Sequence, residues 1–171
     1  YGMSDNAAHR ILDRPNSYIG RSVPRPNARR LLEGRGAFTD DIRLPRMAHV
    51  AFLRSSHAHA RIVRIETAAA ENSPGIIAVV TGEQLARHCT PWVGVLTHLE
   101  GLKSPPQHAM AIERACWQGE AVAAVVADTR EQAEDGMQLI EVDWEELPAV
   151  TEMETALHPD MPVIHPDLGD N

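Results

Sequence analysis

Residues 120–146, EAVAAVVADTREQAEDGMQLIEVDWEE, constrain the fold more than any other stretch of the chain. EAVAAVVA is apolar without alternation, the pattern of a strand covered on both faces. Thr129 and Gln132 stand at capping-box spacing ahead of a helix, and Ala133, Met137 and Ile140 recur at i, i+4 and i+7, which gives that helix one apolar stripe. IEVDWEEL then alternates, with Ile140, Val142 and Trp144 on the inner side and Glu141, Asp143 and Glu145 on the outer. Strand, helix and strand in succession predict a right-handed crossover onto a parallel neighbour.

Similar signals occur upstream. MAHVAFLR, 47–54, places Met47, His49, Ala51 and Leu53 on one face of a strand and Ala48, Val50 and Phe52 on the other; RIVRIE, 61–66, supplies a second strand. Thr67 can cap a short helix through AAAEN, with Pro74 and Gly75 ending it. IIAVVT, 76–81, reads as a strand buried on both faces, and Thr81 with Gln84 fits a capping box for GEQLARH. PNARRLLEGRG offers a helical turn stopped by Gly34 and Gly36, AFTDDIRLP is extended around a turn at Asp40 and Asp41, and TEMETALH predicts a short helix after Pro148. Strands and short helices are interspersed throughout, so the expected class is α+β or α/β in one domain. Residues 90–113 fit neither period and are expected to form a lid, a binding loop, an interface element or two short strands.

Residues 3–25 are polar and broken by Pro15 and Pro24, with Pro26 directly after. We therefore expect a flexible N-terminal arm over 1–16 and a domain over 17–171. Tyr1 and Gly2 precede Met3, which fits an initiator, and are read as a cloning remnant. No apolar run reaches the roughly 20 residues of a transmembrane helix and no signal-peptide pattern opens the chain, so a cytoplasmic location is expected. Aromatic residues make up 4% of the chain, which points to Trp92, Trp117 and Trp144 as packing anchors.

The net charge of -8 is unevenly spread: residues 1–36 hold seven Arg/Lys against three Asp/Glu, whereas 129–171 hold one against twelve. Such polarity suits protein contacts at the ends or simply solvated faces, and it disfavours nucleic acid, because the basic residues are not interleaved with aromatics. Two cysteines, Cys89 and Cys116, are too few for a disulfide framework or a [2Fe-2S] cluster. Cys116 is expected to act as a small hydrophobe.

The search for chemistry is mostly empty. There is no GxxxxGK[ST], no GxGxxG beyond Gly34-Arg35-Gly36, no GxSxG, no HExxH and no EF-hand loop. Asp40–Asp41 sits in a turn, and Glu145 and Glu146 point to opposite faces of a strand, so both pairs read as structural. In RSSHAHARI, 54–62, His57 and His59 lie two apart and could face one ion if extended. Zinc needs three or four ligands, His49 is the only further candidate nearby, no Cys, Asp or Glu lies between 42 and 65, and Arg54 and Arg61 oppose a cation. Hydrogen-bonding roles at a buried or interface position are favoured over metal. No catalytic, cofactor-binding or metal-binding residue is assigned.

The ordered set YIGR, GRGAFTDDI, LPRMAHVAFLRS, HAHARI and SPGIIAVVTG resembles the opening of the molybdenum-cofactor-binding (large) subunit of the xanthine dehydrogenase and aldehyde oxidase family. The later segments, GLKSPPQHAMAIERACWQGEAVAAVVADTREQAEDGMQLIEVDWEELPAV and VIHPDLGDN, are most similar to the branch containing the aerobic carbon monoxide dehydrogenase large chain. The resemblance spans about 17–171, and Arg46 and Ser56 depart from it where glycine and proline are common. It implies an α/β hammerhead, a mixed sheet with short helices, as the N-terminal domain of a longer subunit. It also implies an oxidoreductase that takes oxygen from water, uses molybdenum on a molybdopterin dinucleotide, and passes electrons to [2Fe-2S] clusters and FAD on other subunits or domains.

On that resemblance the chain is expected to be a fragment, inactive alone, that docks on the remainder of the molybdenum subunit and against the iron-sulfur and FAD subunits. The choice among carbon monoxide, a purine, an aldehyde and an N-heterocycle belongs to pocket residues outside it. The alternatives are a stand-alone protein-binding adaptor and a small metal-binding protein using His49, His57 and His59.

Overall fold

A computed structural model describes residues 22, 25–94, 96 and 98–171. The expected arm, 1–16, lies outside them. The chain divides into two compact units, Tyr1–Pro45 and Arg46–Asn171.

In the first unit, helix α1 (Ala28–Leu32) is a short turn held by the Arg29–Glu33 ion pair at 2.7 Å, and Gly34 leaves it at φ +69°. A 3-10 turn follows at Thr39–Asp41, where Asp41 Oδ2 accepts from the Phe38 N–H at 3.0 Å. The Asp40–Asp41 pair is thus a turn element, as its position predicts. Glu33 receives hydrogen bonds from Arg29 and Arg35, which hold its carboxyl below the usual range.

Among the described residues, the second unit contains six strands in two three-stranded sheets. They are β1 (His49–Arg54), β2 (Ala60–Glu66), β3 (Ile76–Thr81), β4 (Arg114–Ala115), β5 (Ala121–Ala127) and β6 (Glu141–Glu146). The first sheet has the order β1-β5-β3 and the second β4-β2-β6. Helices α2 (Ala68–Glu71), α3 (Gly82–Ala86) and α4 (Arg130–Gln138) join them. This is an α+β arrangement with short helices.

β5 is central, and its composition explains why. Ala123, Val125 and Ala127 are fully buried on the side that receives α4, and small side chains let that helix approach closely. Gly136 completes the approach: a Cβ there would lie 2.7 Å from Ile76 Cδ1 and 3.1 Å from Val125 Cγ1. The α4 capping box forms as spaced, with Thr129 Oγ1 accepting from the Gln132 N–H at 3.2 Å and Gln132 Oε1 from the Thr129 N–H at 3.1 Å. For α3, Gln84 Oε1 accepts from the Thr81 N–H at 2.9 Å. One core layer, built on Val79, Ala123, Val125 and Ile140, also takes in Ile65 and Val142 of the second sheet, so the two sheets share it. Each fully buried valine, Val122 and Val125, contributes about 1.5–3 kcal/mol.

Several expectations need correction. The 120–146 unit does not cross over to a parallel neighbour: β5 and β6 lie in different sheets and every named pairing is antiparallel. The helix carries the chain from one sheet to the other. β3 is not buried on both faces: Val79 enters the core, whereas Ile77, 57% exposed, and Ala78 lie open. TEMETALH forms turns and no helix. Trp92 and Trp117 are exposed, and only Trp144 packs as an anchor, against the His57 ring at 5.3 Å between centroids. Residues 90–113 are irregular where described, apart from a single bridge between Trp92 and Gln107.

Candidate functional site

The connection from β1 to β2 carries both histidines of the HAHA stretch. It is a run of bends and not an extended segment, so the two rings do not share one outlook. Ser55 Oγ ties the turn together, donating to the His57 carbonyl at 2.8 Å and accepting from the His57 N–H at 3.1 Å. His57 Nδ1 lies 3.1 Å from Glu146 Oε1 while its ring tilts against Trp144. His59 is buried at 6% exposure, and its Nδ1 lies 2.8 Å from the Pro148 carbonyl oxygen. A carbonyl only accepts, so Nδ1 carries the proton and donates. Nε2 is then an acceptor; it is buried and has no hydrogen-bond partner among the described residues.

Both histidines therefore clamp the β1–β2 connection onto the end of β6, each through its own partner. His49 sits apart from them, in β1 opposite Ala127. Among the described residues no group of three or more His, Cys, Asp or Glu could hold a metal ion. The carboxylates of β6 are likewise divided: Glu145 pairs with Arg61 at 3.2 Å and Glu146 with His57.

Two clefts flank β4, and sequence reasoning did not anticipate either. The larger, about 820 Å³, is lined by β2 residues including Arg61 and Ile62, by Thr81–Gly82–Glu83 at the start of α3, and by the 111–114 segment. Gly82 is what lets these meet: a Cβ there would fall inside the contact distance of the Ala111 carbonyl oxygen. The smaller, about 340 Å³, brings Cys116, Glu120 and Arg114 together with His165 and Asp167 of the C-terminal stretch. Burial pushes the Glu120 carboxyl up, against hydrogen bonds from the Cys116 and Trp117 backbone; it also pushes the Cys116 thiol up, with Glu120 adding to the effect. A thiol shifted that way is a poor nucleophile at neutral pH. Burial, then the charge of Arg114 and the proximity of His59, push His165 down. No spacing rule could have found these clefts, since they join residues 50 and more positions apart.

Neither cleft fits a molybdopterin dinucleotide. Arg61 and Arg114 line the larger one together with Glu83 and Glu113, and Arg61 is already paired with Glu145, so no uncompensated cationic cradle awaits a pyrophosphate. No glycine-rich turn there presents successive backbone N–H groups.

Known proteins match this description. Residues 33–148 match the model of the aldehyde oxidase and xanthine dehydrogenase a/b hammerhead domain. The carbon monoxide dehydrogenase large chain of Afipia carboxidovorans is 38% identical over 141 residues, covering 82% of this chain and 17% of that protein. The xanthine dehydrogenase molybdenum-binding subunit of Escherichia coli O157:H7 is 34% identical, covering 77% and 18%. In structure, quinoline 2-oxidoreductase from Pseudomonas putida 86 superposes with a TM-score of 0.81 at 43% identity, covering 89% of this chain and 19% of that one. The chain thus spans under a fifth of the length of these oxidoreductases. With a matched region covering most of the sequence and relatives above 30% identity, the chain belongs to the a/b hammerhead domain family of aldehyde oxidase and xanthine dehydrogenase.

Proposed function

We propose that this chain is the structural and docking domain of a molybdenum hydroxylase large subunit, and that the chemistry takes place on the remainder of that subunit. The observation that carries this reading is proportion: the hammerhead match fills most of this chain, and the alignment with a carbon monoxide dehydrogenase large chain covers 82% of this chain but only 17% of that protein. The holoenzyme would oxidise carbon monoxide or hydroxylate a purine, an aldehyde or an N-heterocycle with oxygen from water. A molybdopterin dinucleotide would supply the molybdenum, with [2Fe-2S] clusters and FAD on partner subunits as electron acceptors. In this reading no residue of the chain is catalytic, cofactor-binding or metal-binding. Two unpaired cysteines suit the reducing cytoplasm.

The test removes residues 1–171 from the full subunit and measures recovery of the assembled, molybdenum-containing complex. Loss of assembly is expected; undiminished assembly overturns the reading. A reading frame that stops at Asn171, with no adjacent molybdenum-binding gene, would instead favour an adaptor, and stoichiometric metal in the chain itself would favour a histidine metal site.

A further inference from the structure

The docking reading leaves open which surface docks, and the register of the first sheet answers it. Ala51 and Leu53 of β1 and Val125 and Ala123 of β5 face the core, so the residues between them must face away. Across the three strands those outward residues form two rows. Val50 pairs with Val126 and Val126 with Ala78; Phe52 pairs with Ala124 and Ala124 with Val80. All six are apolar. Val50 is 52% and Phe52 46% exposed, whereas Ala124, between Phe52 and Val80, is 7% exposed. The nearest charge on β1, Arg54, lies over the Phe52 ring at 5.7 Å and borders the patch without interrupting it.

The second sheet gives the contrast. Its strands carry the cross-strand ion pairs Arg61–Glu145 and Arg64–Asp143, the dress of a surface that stays in water. A sheet face with two full rows of apolar side chains is, by comparison, built to be covered.

We infer that the outward face of β1-β5-β3 is where this domain packs on the remainder of its own large subunit. This rests on the docking reading above. The occupant follows from chain length: relatives carry the matched segment as 17–19% of one continuous chain. Covalent linkage gives that remainder an effective concentration of roughly millimolar at the patch, far above what a second copy or a separate subunit reaches by diffusion.

The experiment is thiol footprinting in the full-length subunit. Val50→Cys, Phe52→Cys and Val63→Cys are made separately, exposed to iodoacetamide, and read peptide by peptide by mass spectrometry. Val63, on the second sheet, is 61% exposed and serves as the reference. These substitutions remove only volume from half-exposed positions, so the fold is retained. Modification at positions 50 and 52 at least about tenfold slower than at 63, independent of protein concentration, is expected. Rates within about twofold of Val63 overturn the assignment of this face while leaving the docking reading intact. Protection that disappears on dilution overturns it in favour of self-association, and a reading frame ending at Asn171 overturns it outright. Failure of docking itself would show separately, as undiminished assembly after removal of 1–171.

Discussion

Replacing Gly82 by alanine tests the geometry of the larger cleft directly. The new Cβ would lie 2.8 Å from the Ala111 carbonyl carbon and 3.0 Å from the Met110 carbonyl oxygen, closer still to the Ala111 oxygen. These are backbone atoms, so no rotamer change relieves the clash. Either the start of α3 or the 110–111 segment must move. Overpacking of this kind costs about 1–3 kcal/mol. The segment that would yield is held by the Ala111 N–H donating to the Ala121 carbonyl at 2.7 Å, and weakening that bond adds about 0.5–1.5 kcal/mol. Alanine's better helix propensity returns up to about 1 kcal/mol, less at a first helical position. The net loss is about 2 kcal/mol, or about 4–8 °C in Tm for a chain of this size. Thermal unfolding followed by circular dichroism measures it, with the exposed neighbour Glu83→Ala, which gives up only the surface pair with Arg87, as a control that should stay within about 2 °C. A Gly82→Ala variant that melts with the parent would show that α3 does not sit against the 110–111 backbone.

Arg46 holds φ at +60° and its side chain is exposed. Arg46→Gly should relieve about 1–2 kcal/mol of left-handed strain and lose about 0.4–1 kcal/mol to the unfolded chain's added freedom, raising Tm by up to about 6 °C; a lower Tm refutes the strain. His165, pushed below its usual value by burial and then by Arg114 and His59, favours the folded state while neutral. Its contribution is present above about pH 6.5 and is lost as pH falls through the folded value. Tm should therefore decline less between about pH 6.5 and 5 in His165→Gln than in the parent, and equal slopes would dismiss the coupling.

What could be read from the residues alone was local. The α4 capping box, the alternation of Val142 and Trp144 against Asp143 and Glu145, and the inward face of Ala51 and Leu53 all depend on neighbours a few positions away, and each is as expected. Strand direction depends on partners far along the chain, and an apolar run such as 120–127 suits a central antiparallel strand as well as a parallel one. β3 misled for the same reason: Ile77 and Ala78 are apolar yet exposed in this unit, so an apolar run alone does not mark burial on both faces. The turn at Arg46 was legible only through family resemblance, where glycine is common, and the positive φ supplies the reason. The histidine pattern favours hydrogen-bonding groups at a strand connection, and both rings do bond there, but their partners on Glu146 and Pro148 lie 89 positions away, beyond the reach of any spacing argument.

The central place of β5 has a consequence for synthesis. β1 and β3 both pair with it and not with each other, and 40 residues separate the end of β3 at Thr81 from the start of β5 at Ala121. At ribosomal rates of about 5–20 residues per second, β3 waits about 2–8 s and β1, which ends at Arg54, about 3–13 s for the strand that joins them. The second sheet waits longer, because β2 must find β6. A nascent chain in that interval presents IIAVVT and HVAFLR without their central partner, so shielding of those strands during translation bears on its yield as well as the stability of the finished domain does.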